Sequence, residues 1–200
     1  MARPRQFTDE EILTATREVV LREGPSVSTT VIAKEIGLSQ AALFKRFGTK
    51  ASLIGRALIP AEPMSIAAGL MDGPDDRPID VQLNEIGTTF QKTLTKIVPL
   101  MMALKNSGIN IHDLALEIPV PPPVILRLAI IEWLKRAEAQ GRLRALDHEA
   151  TAQLFMGGLA SRAMLRHMLG ERSQFAQTDE AFVAGAINTI WNGIAPVEAT

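Results

Sequence analysis

The chain has no cysteine, which excludes disulfide frameworks and thiolate metal sites and fits a reducing compartment. It has no tyrosine and two tryptophans, and aromatics make up 4% of it, which argues against an aromatic cage for a cationic ligand. The three histidines, His112, His148 and His167, are scattered without metal-ligand spacing. No Gly-x-Ser-x-Gly, phosphate loop or His-Glu-x-x-His occurs, so the commonest nucleophilic, nucleotide and zinc-hydrolase chemistries have no carrier. Long apolar runs are missing as well. The strongest unbroken ones, Ile97 to Leu104 and Ile118 to Leu126, fall far short of the roughly 20 residues that span a bilayer. Acidic residues interrupt Met1 to Val20, so that stretch does not read as a secretory signal. A soluble, cytoplasmic protein is expected, with no metal, no cofactor, no membrane partner and no enzymatic activity.

What is present is apolar content and helical periodicity. The 200 residues are 46% apolar, enough for a sizeable core. Apolar residues recur at three- and four-residue spacing, and alternating strand patterns are weak. Thr8 with Glu11 forms a capping box for a helix that ends at Gly24-Pro25. Ser28 or Thr29 opens a short helix to Ile36, and Gln40 to Phe47 forms another. A further helix starts at Lys50 and meets Pro60 and Pro63, where a kink or early stop is expected. Asp72 to Pro78 reads as a linker. Helices are then expected over Ile79 to Lys105, kinked at Pro99, over Ile111 to Leu116, and from Pro123 to Gln140 after the proline-rich stretch Ile118 to Pro123. Asp147 caps one to Leu169, and Thr178 caps one to Gly193. The fold class is all-α, about nine helices.

Net charge is −1, but it is unevenly placed. Residues 1–56 hold nine Lys or Arg against six acids, a surplus of three, so the remainder carries −4. A basic head on an acidic body suits a nucleic-acid reader joined to a sensor. The segment Thr29 to Phe47, TTVIAKEIGLSQAALFKRF, carries the requirements of a helix-turn-helix. Ala33 is small where two helices cross. Gly37 tolerates the positive φ of the turn. Ile32, Ile36, Leu38, Leu43 and Phe47 are anchors for the second helix.

From Phe7 to about Leu58 the chain resembles the TetR family. The matching pieces are Ile12-Leu13-x-Ala15, the Gly24 stop, Thr29-Thr30-x-Ile32-Ala33, Gly37-Leu38-Ser39, Leu43-Phe44-x-x-Phe47 and Lys50-x-x-Leu53. The resemblance implies an N-terminal three-helix DNA-binding domain (1–56) and a C-terminal helical ligand-binding and dimerisation domain (57–200). It implies a ligand-responsive regulator that binds double-stranded DNA as a homodimer, by family habit a repressor. By position, Gln40, Ala41 and Lys45 face base edges: Gln can pair with adenine and Lys can reach guanine acceptors, while Ala41 and Ala42 can touch thymine methyls. Ser39 sits at the turn. Ser28, Thr29 and Thr30 hold one phosphate and Lys50 another. Arg3 and Arg5 form an arm toward the minor groove. Phe44 stands where the family usually has a phosphate-binding tyrosine. That departure leaves open a helical module that has lost DNA binding and acts through protein partners.

For the C-terminal domain, Leu94, Val98, Met101, Met102, Leu128, Ile131, Trp133, Phe155 and Leu159 are candidate lining for a mostly apolar small-molecule effector. Gly158 and Ala163, with the stripe Phe182, Val183, Ala186, Ile187, Ile190 and Trp191, are candidates for the dimer interface.

Overall fold

The computed structural model describes residues 7–24, 26–58, 62–106 and 120–194. Among these are nine α-helices and no strand. They are α1 (Asp9–Glu23), α2 (Thr29–Ile36), α3 (Gln40–Phe47), α4 (Lys50–Leu58), α5 (Glu62–Leu70), α6 (Ile79–Asn106), α7 (Pro122–Ala139), α8 (His148–Leu169) and α9 (Asp179–Ile194). A single 3-10 turn, Gly170–Ser173, lies between α8 and α9. None of these helices is long and apolar enough to cross a membrane.

Local chemistry explains most boundaries. The first N–H groups of a helix have no partner inside it, and a side-chain oxygen ahead of it supplies one. The Thr8 hydroxyl accepts from the Glu11 N–H at 3.2 Å, while the Thr8 N–H donates to the Glu11 carboxylate at 2.8 Å. Asp147 accepts from the Ala150 N–H at 2.9 Å and Thr178 from the Ala181 N–H at 3.2 Å. Pro122 and Pro123 both sit in the first turn of α7, where a missing N–H costs nothing, so that helix starts one residue earlier than expected. α6 runs through Pro99 to Asn106 without interruption. Of the expected fourth helix, Lys50–Leu58 is described as α4, and α5 is described from Glu62, with Pro63 at its second position. Pro60 and the helix expected over Ile111 to Leu116 lie outside the described residues.

The chain forms two compact units: residues 1–60 with 99–119, and residues 61–98 with 120–200. The described part of the segment after Val98 belongs with the first unit. The reason is burial, since Leu100 and Leu104 join the core of the first unit. That core is built on Ile12, Val19, Ile32, Leu43, Phe47, Leu53 and Ile54. The second unit packs α5 against α7, α7 against α8 and α8 against α9. Its core gathers Leu83, Phe90, Leu126, Trp133, Leu134, Phe155, Leu159, Val183 and Ile187. A Cβ on Gly87 would lie 3.1 Å from Val183 Cγ1, so glycine is what lets α6 approach α9 this closely.

Two polar clamps complete the second unit. Arg162, on α8, is 4% exposed. Its guanidinium donates to Asp179 Oδ1 at 2.9 Å, to the Gln177 carbonyl at 2.6 Å and to the Thr178 carbonyl at 3.1 Å. It also lies 4.5 Å from the ring centres of both Phe175 and Phe182. The second clamp holds the 72–78 linker. The Gln82 amide accepts from the Asp75 N–H and donates to the Asp75 and Arg77 carbonyls, and Arg142 donates to the same two carbonyls. A hydrogen bond from the Arg77 guanidinium holds the Asp75 carboxyl below its usual range.

Breaking a buried pair leaves a charge without its partner, so Arg162→Met should lower stability by about 3 kcal/mol in urea unfolding. Asp75 supports the linker in its charged form, the form favoured in the fold. Its contribution is whole above the ordinary carboxylate value of about 3.9 and is lost as pH falls through the lower folded value. The Arg77 amide, which donates to Asp75 Oδ1, should lose hydrogen-exchange protection at the acid end of that window and keep it at pH 5.

Candidate nucleic-acid interface

Two eight-residue helices, α2 and α3, meet across Gly37. Gly37 is left-handed (φ 79°, ψ 28°), and the following Leu38 N–H bonds back to the Ala33 carbonyl at 2.9 Å. That closes α2 with the glycine cap typical of such turns. Ser39 then caps α3, its hydroxyl accepting from the Ala42 N–H at 3.1 Å. Leu43 and Phe47 turn inward and are buried, and Ala33 is buried at the crossing. These contacts set which side of α3 faces out.

The outward face carries Ala41, Phe44 and Lys45, all exposed. Phe44 is 39% exposed, unusual for a phenyl ring with no polar group. Among the described residues, Lys45 has no hydrogen-bond or ion-pair partner. Ala42 is half-buried. Gln40 is exposed but tied back to α2: its amide nitrogen donates to the Thr29 hydroxyl at 2.6 Å, and the Thr30 hydroxyl reaches its amide oxygen at 3.5 Å. Thr29 is itself buried. Gln40, expected to face base edges, is exposed and has its amide nitrogen engaged on α2.

Ser28 caps α2, its hydroxyl accepting from the Val31 N–H at 3.3 Å, and Ser28 and Thr30 are exposed at that helix start. The half-buried Lys50 donates to the Ser26 carbonyl at 3.0 Å, which places its ammonium beside the same helix start. Arg46 is turned away from the face, donating to the Phe7 carbonyl at 2.6 Å and standing 3.4 Å from Asp9. Arg3 and Arg5 lie outside the described residues. The arrangement offers an exposed helix with one free cation, an apolar ring and a flanking helix start that presents hydroxyls and N–H groups. Such a surface can lie in a major groove and hold phosphates on either side of it.

Two hollows among the described residues of the second unit are lined mainly by apolar side chains. The smaller, about 10 Å³, is lined by residues including Leu83, Ile86, Trp133, Thr151, Phe155 and Ile190. It has room for about one water molecule. An open groove of about 410 Å³ is lined by Phe90, Leu94, Ile97, Leu126, Arg127 and Met156 among others. Of the expected lining, Trp133 and Phe155 border the small cavity and Leu94 borders the groove. The rest of that set borders neither hollow. Leu159, Val98 and Ile131 pack into the protein, Met102 is half-buried, and Met101 packs against the core of the first unit. Leu128 is 50% exposed on the outer side of α7.

The expected dimer residues also sort differently. Val183, Ile187 and Ala163 are buried within the protomer, and the first two are part of its core. Phe182, Ile190 and Trp191 are partly buried against that core, Ala186 is half-buried and Gly158 is exposed. Sequence reasoning missed an exposed apolar strip on α8 formed by Leu154 (73% exposed), Leu165 and Met168 around Gly158. Their spacing of four, seven and three residues, which keeps one face of a helix, was the available signal.

Residues 12–57 match the bacterial regulatory proteins of the tetR family, and residues 82–192 match the C-terminal domain of AefR-like transcriptional repressors. Over 193 residues the chain is 26% identical to the HTH-type transcriptional repressor BdcR of Escherichia coli strain K12, covering 94% of this chain and 93% of that protein. A TetR-family transcriptional regulator from Mesorhizobium loti superposes with a TM-score of 0.75 at 14% identity, over 94% of this chain and 96% of that one. FadR from Bacillus subtilis, solved in complex with stearoyl-CoA, gives 0.68 at 14% identity, over 91% and 97%. At these identities the two structures speak to the fold.

The elbow itself is open to test. A Cβ on Gly37 would meet nothing within 4 Å, so Gly37→Ala carries only the cost of a left-handed backbone. It should destabilise by about 1 kcal/mol, and Gly37→Asn by less, read from urea midpoints.

Proposed function

The chain belongs to the TetR family of bacterial regulatory proteins, and from that premise we propose a cytoplasmic, ligand-responsive repressor that binds a palindromic operator as a homodimer and is released by a small, mostly apolar effector. It is a transcriptional regulator and not an enzyme. The observation that carries the proposal is the outward face of α3, where Ala41, Phe44 and Lys45 stand clear of the core that props them. Ser28, Thr30 and Lys50 fit the flanking phosphates. Arg3 and Arg5 extend the reading to the neighbouring groove.

A palindromic site requires two recognition helices about 34–36 Å apart, one turn of DNA. The α8 strip of Leu154, Gly158, Leu165 and Met168 is the surface we assign to the second copy, because contiguous apolar area on a soluble protein calls for a cover. Phe182, Ala186, Ile190 and Trp191 on α9, only partly buried, are assigned beside it. The effector is assigned to the open groove bordered by Leu94. FadR, which shares the fold, was solved with a long-chain acyl thioester. Binding that favours a different spacing of the two readers would lower operator affinity by shifting the population.

A second reading, a partner-binding module that no longer meets DNA, draws on the exposed ring of Phe44. The unpaired ammonium of Lys45 on the same face favours the first. Fluorescence anisotropy with the DNA upstream of the protein's own gene decides between them. The protein should retain that duplex over a random one, and Lys45→Ala should weaken it roughly ten-fold; equal retention of both duplexes removes the repressor reading. In sedimentation, the wild type should be a dimer at micromolar concentration and Leu154→Glu with Met168→Glu a folded monomer. A monomeric wild type would overturn the dimer.

A further inference from the structure

The side chains of α3 are not equally available. Gln40 is the one able to pair two-handed with adenine, and its amide nitrogen is engaged by the Thr29 hydroxyl at 2.6 Å. Arg46 is occupied by the Phe7 carbonyl and Asp9. Lys45 is the one cation on α3 left open among the described residues. Ala41, three residues before Phe44 and four before Lys45, lies on the same exposed side of the helix. A phenyl ring has no donor or acceptor for a phosphate or for the polar atoms of a base edge. The one apolar feature that base pairs show in the major groove is the C5-methyl of thymine.

We infer that Phe44, with Ala41 beside it, reads thymine by its methyl group, while Gln40 stays on α2 and does not read bases. The inference rests on the DNA-binding reading above and specifies how that surface discriminates. An exposed ring gains from covering a methyl as any apolar pair does. One such group out of water gives a factor of about four in affinity. Lys45 supplies the polar contact next to it, so discrimination at the centre of each half-site is part methyl, part charge.

The experiment uses the full-length protein. Duplexes retained from a random pool are sequenced, and each thymine of the enriched half-site is replaced singly by deoxyuridine, which removes the methyl and keeps every hydrogen-bonding group. At least one replacement should weaken binding about four-fold. Phe44→Ala should bind both versions equally, and Phe44→Leu, still apolar, should keep part of the preference. Circular dichroism confirms that the variants are folded. The inference is overturned if no replacement matters, or if folded Phe44→Ala keeps the full difference. Enrichment of a sequence with no methyl dependence sinks this inference and leaves the regulator intact, whereas no enrichment of any DNA sinks both.

Discussion

An eight-residue helix does not persist alone in water, where helices shorter than about 12–15 residues are marginal. The exposed face of α3, proposed as the reading surface, therefore exists only while Leu43 and Phe47 stay buried. Those two side chains hold α3 on the first unit's core and, because of helical spacing, force Ala41, Phe44 and Lys45 outward. The left-handed Gly37 fixes the angle at which this happens. Other features of the first unit serve the same anchorage. Arg56 lies 5.2 Å from the centre of the Phe47 ring, and the Arg17 guanidinium donates to the Ala57 carbonyl at 2.6 Å, tying α1 to the end of α4.

This use of arginine changes the meaning of the basic surplus in residues 1–56. Arg17, Arg46 and Arg56 are engaged with carbonyls, a carboxylate or a ring within the unit. Arg22 pairs with Glu23 and Glu35. What remains to meet a polyanion is narrower than the count suggests. Attraction to phosphates positions a reader without choosing a sequence, and discrimination must come from shape and from contacts at base edges. A lone ammonium beside an apolar ring suits that division of labour, since the cation gives attraction and the ring gives selectivity.

The sequence was informative wherever the determining interaction is local. The Thr8 to Glu11 box, the Asp147 and Thr178 caps, the Gly37 elbow and the buried Ala33 were all legible, because each depends on residues within about four positions. The tie between Gln40 and Thr29 was not, because it joins two helices and a side chain's free reach cannot be read from its type. Periodicity showed that α9 has an apolar stripe but not what covers it. Val183 and Ile187 proved to be core because Gly87 on α6 lets that helix come close. Likewise Met101 looked like a pocket residue by its softness, yet the stretch after Pro99 returns to the first unit's core. Arg162 passed unnoticed because an arginine in an exposed-looking helix signals nothing until Asp179, Phe175 and Phe182 surround it.

Where an effector would sit follows from the same packing. The smaller hollow beside Trp133 and Phe155 has space for about one water, and its walls are core side chains whose contacts stabilise the unit. A ligand entering there must first separate them, and its apparent affinity falls by the fraction of molecules already open. The groove along Phe90, Leu94 and Met156 stands open beforehand and requires no such separation. It is also largely apolar, with Arg127 and Gln153 as its long polar side chains and Arg127 already paired with the exposed Glu149. A surface ion pair of that kind is weak, so a ligand's own anionic group can replace Glu149 at little cost. Packing thus supports the proposed seat of a mostly apolar effector in the groove over one in the cavity.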